Sequence, residues 1–259
     1  MKLDFYNKGS WIKGFLHLPK KKTDKLVILV HGFTGTRDGP AGLYVRTADA
    51  LVKNGYAVYR FNFRFTDKTY REFQKTTIAG QVDDLRLVFR MMKKKLGFKK
   101  IAVIGESLGT VICTLSGVKA DVFVLWYGFT FIRKIFEKRF LTKEKLELLK
   151  RQDYLEGQKS WKKERYKVGK KIINEFLKLD TSPQVRRIKT PTLVVHGDAD
   201  ISVPIIYGKI LYRNLKSKKK FAIVKGAGHG FSNRYYRPST PLQKKAIKVT
   251  LDWLKKEIN

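Results

Sequence analysis

Short apolar runs bounded by turn residues recur along this chain, and longer stretches with helical periodicity separate most of them. Because strands that alternate with helices usually build a parallel sheet, this order predicts an α/β fold with an eight-stranded, mostly parallel sheet and helices on both faces. The first two strands are expected to form an antiparallel hairpin around Lys8-Gly9-Ser10. The eight predicted strands lie at residues 3–6, 11–18, 26–30, 57–61, 101–104, 122–126, 192–195 and 221–224. The predicted helices lie at residues 42–54, 78–96, 108–117, 205–214 and 242–258.

Residues 129–180 interrupt this rhythm, because some fifty charged residues with a helical pattern stand between two predicted core strands. Long insertions in compact domains are often functional, so we expect a helical cap over a pocket, with a peripheral helical ornament as the alternative. The chain then divides into a core of residues 1–128 and 181–259 and a helical cap insertion of residues 129–180. The apolar residues expected to face the sheet from the insertion are Phe136, Phe140, Leu146, Leu149, Trp161, Tyr166, Ile172, Ile173 and Phe176.

The length of 259 residues suits one α/β domain with an insertion better than two independent domains. The single cysteine, Cys113, excludes an intramolecular disulfide and a multi-cysteine metal site, and we expect it to be a small core residue. No apolar run approaches the roughly 20 residues needed to cross a bilayer, and the first residues lack the apolar segment of a signal peptide. We therefore expect a cytoplasmic protein without a transmembrane segment.

The chain carries 56 Lys and Arg residues against 22 Asp and Glu residues, a formal net charge of +34. Attraction to nucleic acid or to anionic membranes is physically reasonable at this charge. The basic runs are spread along the chain rather than gathered in one evident stripe, so we favour a lysine-rich solvated surface over a nucleic-acid site. These runs are Lys20–Lys22, Lys93–Lys95, Lys162-Lys163, Lys170-Lys171 and Lys218–Lys220.

The sequence Gly105-Glu106-Ser107-Leu108-Gly109 stands where a predicted strand gives way to a predicted helix. A nucleophile elbow needs this setting, because the serine must project from a sharp turn and larger residues at the glycine positions would collide. The alternative is an ordinary glycine-rich strand-to-helix loop. We identify Ser107 as a candidate nucleophile.

A serine hydroxyl needs a base within hydrogen-bond reach and an acid that orients the base. His229 lies in a flexible turn directly after the last predicted strand, which makes it the preferred base among the four histidines. The loop after the preceding strand supplies two candidate acids, Asp198 and Asp200. Asp200 is favoured by its position deeper in the loop, whereas Asp198 suits the amides of the turn.

Negative charge develops on the carbonyl oxygen during attack by a serine, so such a site needs two converging N–H donors. The residue after the nucleophile, Leu108, can supply one of them. The loop after the third strand, His31-Gly32-Phe33-Thr34-Gly35, points to Phe33 for the other. His31 and Gly32 are then expected to shape the loop rather than to perform chemistry.

The segments HGFTG, GESLG, HGDADISVP and GAGHGF lie within residues 31–231, and together they resemble those of α/β-hydrolases of the serine esterase and lipase group. Within that group the chain is most similar to the capped cinnamoyl/feruloyl esterase-like and monoacylglycerol-lipase-like hydrolases, in which a helical insertion after the sixth strand covers the pocket. The resemblance implies an α/β-hydrolase fold with Ser107, Asp200 and His229 as the triad, and with Phe33 and Leu108 as oxyanion donors. Two departures concern Thr110, where many relatives carry glycine, and Phe61–Phe65, which replaces a glycine-bearing segment.

The resemblance implies a carboxylesterase that hydrolyses short acyl or aromatic-acid esters through an acyl-enzyme. The expected partner is a small-molecule ester substrate, no metal or organic cofactor is expected, and a homodimer is left open. The alternatives are a serine peptidase of the same fold, and a non-catalytic basic protein that binds nucleic acid or anionic lipid.

Overall fold

The computed structural model describes residues 1–66, 72–158, 165–233 and 239–258, and for residues 138–140 it describes the backbone alone. Eight strands form one sheet, and each matches a predicted strand within two residues at either end, so the predicted α/β fold is confirmed. The strands of this sheet are β1 (Lys2–Asn7), β2 (Ser10–His17), β3 (Lys25–Val30), β4 (Ala57–Asn62), β5 (Lys100–Glu106), β6 (Val122–Trp126), β9 (Thr192–Gly197) and β10 (Lys219–Val224). A separate two-stranded sheet consists of β7 (Tyr154–Gln158) and β8 (Arg165–Gly169).

The strand order in the large sheet is β1-β2-β4-β3-β5-β6-β9-β10. The β1–β2 and β2–β4 pairs are antiparallel, and the pairs from β4 to β10 are parallel. All six parallel strands therefore begin at one edge of the sheet, which we call the amino edge, and end at the opposite edge, the carboxyl edge. In open α/β sheets the ligand site lies beyond the carboxyl edge.

Nine α-helices surround the sheet in the described part of the chain. The five predicted helices are present, although the second ends at Arg90 and continues as one π-helical turn over Met91–Lys95. The short helix α7 was not predicted. The helices are α1 (Leu43–Lys53), α2 (Ile78–Arg90), α3 (Leu108–Ser116), α4 (Arg133–Phe140), α5 (Lys143–Arg151), α6 (Lys170–Leu177), α7 (Ser182–Arg187), α8 (Ile205–Asn214) and α9 (Thr240–Glu257).

Alternate residues of the buried strands enter two separate cores, as the period of two along a strand requires. In β3, Ile28 and Val30 pack in the core that contains α2, α3 and the insertion, whereas Val27 and Leu29 pack in the core that contains α1 and α9. Cys113 is buried in the first of these cores, as predicted, and burial raises the pKa of its thiol. Helices on both faces leave the edges of the sheet as the places where loops can form a site.

The insertion is not wholly helical, because the β7–β8 hairpin lies between α5 and α6. Its two ends meet where the backbone N–H and hydroxyl of Thr181 both donate to the carbonyl oxygen of Thr130, at 2.9 and 3.1 Å. Leu146 is exposed, contrary to the expectation that it faces the sheet. Trp161 and the side chain of Phe140 lie outside the described residues. The expected residues that are buried are Phe136, Leu149, Ile172, Ile173 and Phe176, while Tyr166 is partly buried.

In the described residues, no helix combines the length and apolar character that a membrane span requires.

Candidate active site

Ser107 stands between the last residue of β5 and the first residue of α3, with φ of 50° and ψ of −120°. An L-residue rarely adopts a positive φ, and such a conformation costs on the order of 1–3 kcal/mol unless its surroundings impose it. A Cβ atom on Gly105 would lie 2.7 Å from the Gly109 oxygen, and one on Gly109 would lie 2.2 Å from the Val30 oxygen. Both glycines of the motif are therefore required by close backbone packing.

Two neighbouring segments hold the turn in this conformation. The N–H of Ser107 donates to the carbonyl oxygen of Trp126 at 3.0 Å, which ties the turn to the end of β6. Thr110 donates from both its N–H and its hydroxyl to the carbonyl oxygen of Ser107, at 3.0 and 2.7 Å. Thr110, which stands where many relatives carry glycine, thus stabilises the turn. Its side chain fills the space beside Gly128.

His229 and Asp200 come together at the carboxyl edge, from the loops that follow β10 and β9. The Nδ1 atom of His229 lies 2.8 Å from Oδ2 of Asp200, and the Asp200 side chain is fully buried. Its other oxygen, Oδ1, accepts the N–H groups of Ser202 and Val203, both at 2.9 Å. Because the carboxylate only accepts, Nδ1 of His229 is the donor in this contact, and Nε2 is then the basic nitrogen of the neutral imidazole.

Asp198 has a different role in the same loop. Its Oδ1 atom accepts the N–H of Gly226 at 2.6 Å, so it joins the loop after β9 to the turn after β10. Of the two carboxylates that the sequence left open, Asp200 is the one that contacts the imidazole of His229.

The loop of residues 31–35, which is expected to supply the second oxyanion donor, lies beside the candidate nucleophile Ser107. A Cβ atom on Gly32 would be 3.0 Å from the Cβ of Ser107 and 3.6 Å from the nitrogen of Leu108. His31 is buried, with Nδ1 2.9 Å from the Gly32 oxygen and its ring 4.8 Å from that of Phe63. The structure thus brings Gly32, which precedes Phe33, next to both Ser107 and Leu108, with His31 packed behind the loop.

Sequence reasoning missed the pair formed by Glu106 and Tyr127. Glu106 is buried, and its carboxylate accepts the N–H of Gly32 at 3.2 Å and the hydroxyl of Tyr127. Tyr127 has φ of 39°, and its ring centroid lies 4.6 Å from that of His229. Burial raises the pKa of Glu106 although both hydrogen bonds lower it, and burial raises the pKa of Tyr127 well above its usual value. The one sequence signal was a glutamate inside the serine motif itself.

The other histidines have different surroundings. His196 is buried, its Nε2 lies 2.8 Å from the carbonyl oxygen of Val203, and burial lowers its pKa. His17 lies near the amino edge, where its Nε2 accepts the Nε–H of Arg60 at 2.9 Å. His229, whose side chain is 25% exposed, is thus the histidine that combines a carboxylate partner at hydrogen-bond distance with access to solvent.

The Phe61–Phe65 segment, which departs from the usual glycine-bearing pattern, makes its own contacts. The side chain of Asn62 accepts the N–H of Arg37 at 2.6 Å, and the buried Arg64 pairs with Asp84 of α2 at 2.6 Å. These contacts join the Phe61–Phe65 segment to Arg37, just after the loop of residues 31–35, and to α2, without glycines in the segment.

Aromatic rings of the insertion contact Phe33, in the loop of residues 31–35. The ring of Phe33 lies 5.5 Å from that of Phe176 in α6 and 6.3 Å from that of Tyr166 in β8. Phe73, which lies outside the insertion, is the third aromatic neighbour, with its ring centroid 5.5 Å from that of Phe33. Edge-to-face packing of this kind adds about 0.5–1.5 kcal/mol per pair beyond burial.

In the described residues, no three His, Cys, Asp or Glu side chains are grouped so that they could hold a metal ion. The side chains gathered at the carboxyl edge are instead a hydroxyl on a strained turn, an imidazole and a buried carboxylate. This set is suited to nucleophilic attack on a carbonyl group.

The chain is similar to several known proteins. The BD-FAE family model matches residues 15–215, which is more than half of the chain. The chain is 26% identical over 195 residues to the lysophosphatidylserine lipase ABHD12 of Danio rerio, a match that covers 72% of the chain and 46% of that protein. The chain therefore spans about half the length of this curated relative.

Solved structures share the fold. Est1E from Butyrivibrio proteoclasticus with ferulic acid bound has a TM-score of 0.80 at 20% identity, over 99% of each chain. The esterase domain of a Rhodothermus marinus protein has a TM-score of 0.71 at 18% identity, over 100% of this chain and 99% of that one. The Pyrococcus furiosus esterase Pf2001 has a TM-score of 0.70 at 21% identity, over 100% and 93%. At these identities the likeness establishes a common α/β-hydrolase fold.

Proposed function

The chain belongs to the BD-FAE family and is an α/β-hydrolase of the esterase and lipase type, and from this premise we propose that it is a serine carboxylesterase. The proposed reaction is hydrolysis of a carboxylic ester through an acyl-enzyme, with Ser107, Asp200 and His229 as the triad. The observation that carries the proposal is the 2.8 Å contact between His229 and the buried Asp200, at the edge of the sheet where the strained Ser107 turn lies.

In the acylation step, the Ser107 hydroxyl attacks the ester carbonyl carbon while Nε2 of His229 takes its proton. Asp200 holds the imidazole in the required tautomer and stabilises the imidazolium. The N–H groups of Phe33 and Leu108 stabilise the negative charge on the tetrahedral oxygen. The intermediate collapses when His229 gives its proton to the departing alcohol, which leaves the acyl group on Ser107.

In the deacylation step, water attacks the acyl carbon and His229 takes the proton of that water. Collapse of the second tetrahedral intermediate releases the carboxylic acid and returns the proton to Ser107. The net reaction consumes one water for each ester cleaved, and it uses protein groups alone.

We propose that residues 129–180 act as a cap that contributes to the acyl side of the site. Tyr166 and Phe176 from this segment pack against Phe33, so they place apolar surface next to the oxyanion loop. Such a surface suits short acyl or aromatic-acid groups. Ferulic acid, the ligand bound to Est1E, is an aromatic acid, which supports the same class of substrate for this chain.

Replacement of Ser107 tests the proposal. Ser107→Ala should lower kcat on p-nitrophenyl esters by on the order of a million-fold, because the variant retains only binding and oxyanion stabilisation. It should also lose covalent labelling by a fluorophosphonate probe. A matched control is Ser116→Ala, since Ser116 lies at the end of the same helix and donates to the Cys113 oxygen. Undiminished ester hydrolysis by purified, folded Ser107→Ala protein would show that another residue is the nucleophile.

A further inference from the structure

Three of the five basic runs of the sequence, Lys20–Lys22, Lys93–Lys95 and Lys218–Lys220, lie at the amino edge of the sheet. Six segments meet there, at residues 18–25, 53–56, 91–100, 117–121, 187–191 and 215–219, and they contain sixteen Lys and Arg residues against two Asp residues. The described loops at the carboxyl edge are nearly balanced, with five basic and four acidic residues in segments 8–9, 31–42, 63–66, 72–77, 127–132, 198–204 and 225–233. The insertion of residues 129–180 carries 16 basic and 8 acidic residues in the sequence. Positive charge therefore distinguishes the amino edge from the loops around the candidate active site.

Hydrogen bonds and strand register make the amino edge one continuous surface. The N–H groups of Lys99 and Lys100 both donate to the carbonyl oxygen of Asp24, at 3.0 and 3.2 Å. Further along the same edge, the hydroxyl of Thr190 donates to the Ala120 oxygen, and the N–H of Thr192 donates to the Lys218 oxygen. With neighbouring strands about 4.8 Å apart, the six parallel strands span about 24 Å.

Thirteen of the fifteen lysines on this edge are exposed, and the acidic residues are too few to neutralise them. Every side chain of Lys20–Lys22 and Lys93–Lys95 is exposed. One of the two aspartates, Asp121, already accepts the N–H of Ile101 at 2.8 Å. Lys218 pairs with Glu257 of α9, which offsets one positive charge. The surface as a whole keeps a strong positive potential, and this potential favours an anionic partner.

Apolar groups are interspersed with these lysines. Leu18 is 54% exposed beside Lys20–Lys22, and Leu96 is 45% exposed directly after Lys93–Lys95. A surface depression of about 400 Å³, lined in part by Leu16, Leu18 and Val52, opens next to the first of these clusters. Lysines around exposed leucines are typical of surfaces that rest on the headgroups of a bilayer and place apolar side chains at the acyl boundary.

The same surface lacks the features with which proteins usually bind nucleic acid. Fifteen of its sixteen basic residues are lysines, whereas bidentate recognition of phosphates and bases relies on arginine. Its two aromatic residues, Tyr56 and Phe98, are buried, so neither offers a ring on which a base could stack.

We propose that the amino edge is a docking surface for a membrane with anionic phospholipid headgroups, held by its lysines and by Leu18 and Leu96. Each lysine near an anionic leaflet strengthens binding about fivefold, so a few simultaneous contacts suffice for stable association. In this orientation the carboxyl edge, with Ser107, faces away from the membrane. The docked protein then takes its substrate from solution, and membrane binding leaves the site open.

Co-sedimentation with vesicles tests the proposal. We expect the protein to bind vesicles of phosphatidylcholine that contain about 30% phosphatidylserine in 0.15 M NaCl, and to bind vesicles of pure phosphatidylcholine at least about tenfold more weakly. A variant neutralised at the amino edge should lose at least about tenfold in affinity for the anionic vesicles, while its rate of ester hydrolysis is unchanged. The variant carries Lys21→Gln, Lys22→Gln, Lys94→Gln and Lys95→Gln.

A control variant removes the same amount of charge elsewhere on the surface, through Lys143→Gln, Lys209→Gln, Lys244→Gln and Lys245→Gln, and it should bind anionic vesicles as the wild type does. The proposal is overturned if the two variants lose affinity equally, or if the wild type does not bind anionic vesicles at this salt concentration. Tighter binding to duplex DNA or RNA than to anionic vesicles would also overturn it, in favour of a nucleic-acid surface. Inhibition of soluble-ester turnover by anionic vesicles would show that the carboxyl edge faces the membrane instead.

Discussion

Two residues next to each other in space, Ser107 and Tyr127, hold backbone conformations that L-residues rarely adopt. The carboxylate of Glu106 joins the turns that contain them, because Glu106 precedes Ser107 and accepts the Tyr127 hydroxyl. The same carboxylate accepts the N–H of Gly32, so one buried side chain joins the Ser107 turn, the loop of residues 31–35 and Tyr127, whose ring packs on His229. Strain at the candidate nucleophile is therefore balanced by a local network of hydrogen bonds.

The two loop aspartates should differ sharply in their effect on catalysis. Asp200→Asn should lower kcat by on the order of 10⁴-fold, because an amide cannot fix the His229 tautomer or stabilise the imidazolium. Asp198→Asn should cost far less, since Asp198 accepts the N–H of Gly226 rather than a group of the imidazole. Steady-state kinetics with a p-nitrophenyl ester on variants of equal thermal stability gives the comparison. A larger loss in Asp198→Asn would assign the acid role to Asp198.

Titration of Glu106 should be visible in the pH dependence of stability. Burial raises its pKa in the folded state above the ordinary value of 4.5, so the folded protein holds this proton to higher pH than the unfolded chain does. The contribution of Glu106 to the free energy of unfolding should therefore fall as pH rises from about 4.5 through the raised pKa. Glu106→Gln removes this titration, so the stability of the wild type minus that of the variant should decrease as pH rises above the ordinary value of about 4.5.

Urea unfolding of both proteins at several pH values measures that difference, and effects of the substitution that do not depend on pH cancel in its slope. A difference that increases with pH would mean that the hydrogen bonds from Tyr127 and Gly32 outweigh the cost of burying the charge.

The sequence predicted Ser107, Asp200 and His229 because each stands in a short motif at the end of a recognisable strand. It did not predict the role of Tyr127. The contact of Tyr127 with Glu106 depends on the register of β5 with β6, in which Glu106 is paired with Trp126, and on the reversal of the backbone at Tyr127 itself. Neither of these features leaves a periodic pattern in the chain.

Among the elements, the central strands were predictable and the hairpin of the insertion was not. Strands such as β3 are continuous apolar runs because both faces are covered by helices. The strands β7 and β8 are five residues long, most of their residues are not buried, and they pair with each other alone. A short solvated strand has too weak an alternation to be distinguished from the helical pattern on both sides of it.

Tyr166 of β8 provides a sharper test of the cap than removal of the whole insertion. Removal would also eliminate Glu175, whose carboxylate accepts the N–H groups of Ile78 and Ala79 at the start of α2. Tyr166→Ala should raise KM and change the preference between aromatic-acid and short acyl esters, because it removes a ring packed on Phe33 and Phe73. Fluorophosphonate labelling of Ser107 should persist.

Tyr154→Ala is the matched control for this change, since Tyr154 lies on the other strand of the same hairpin with its ring against the Lys167 ammonium group. A panel of ester substrates measured on both variants gives the comparison. If Tyr166→Ala keeps the selectivity of the wild type, or if Tyr154→Ala changes it to the same degree, the hairpin does not contribute to substrate choice.

For the molecule as a whole, the sheet topology determines where the charge lies. The sequence shows lysine runs at wide intervals, and from the sequence we expected no single basic stripe. In the structure, Lys20–Lys22, Lys93–Lys95 and Lys218–Lys220 all stand at the beginnings of parallel strands or just before them, so the fold brings them to one edge. For these three runs the expectation was wrong, because distance along the chain says little about distance along the edge of a parallel sheet. Lys170-Lys171 lie in α6 of the insertion instead. Lys162-Lys163 lie outside the described residues.

The net charge of +34 should make the stability of the folded protein depend on salt in a definite direction. Like charges on a compact surface repel one another more strongly than in the expanded unfolded chain, and salt screens this repulsion. The screening length falls from about 30 Å at 0.01 M salt to about 8 Å at 0.15 M. We therefore expect Tm to rise by at least about 2–4 °C between these concentrations, the shift that about 1 kcal/mol produces in a protein of this size.

The variant with four substituted lysines at the amino edge should show a smaller rise in Tm than the wild type, because it lacks part of the most concentrated charge repulsion. Calorimetry of both proteins in NaCl gives the measurement, and a Tm that is constant or falls with salt would show that the surface charges are already balanced by their neighbours.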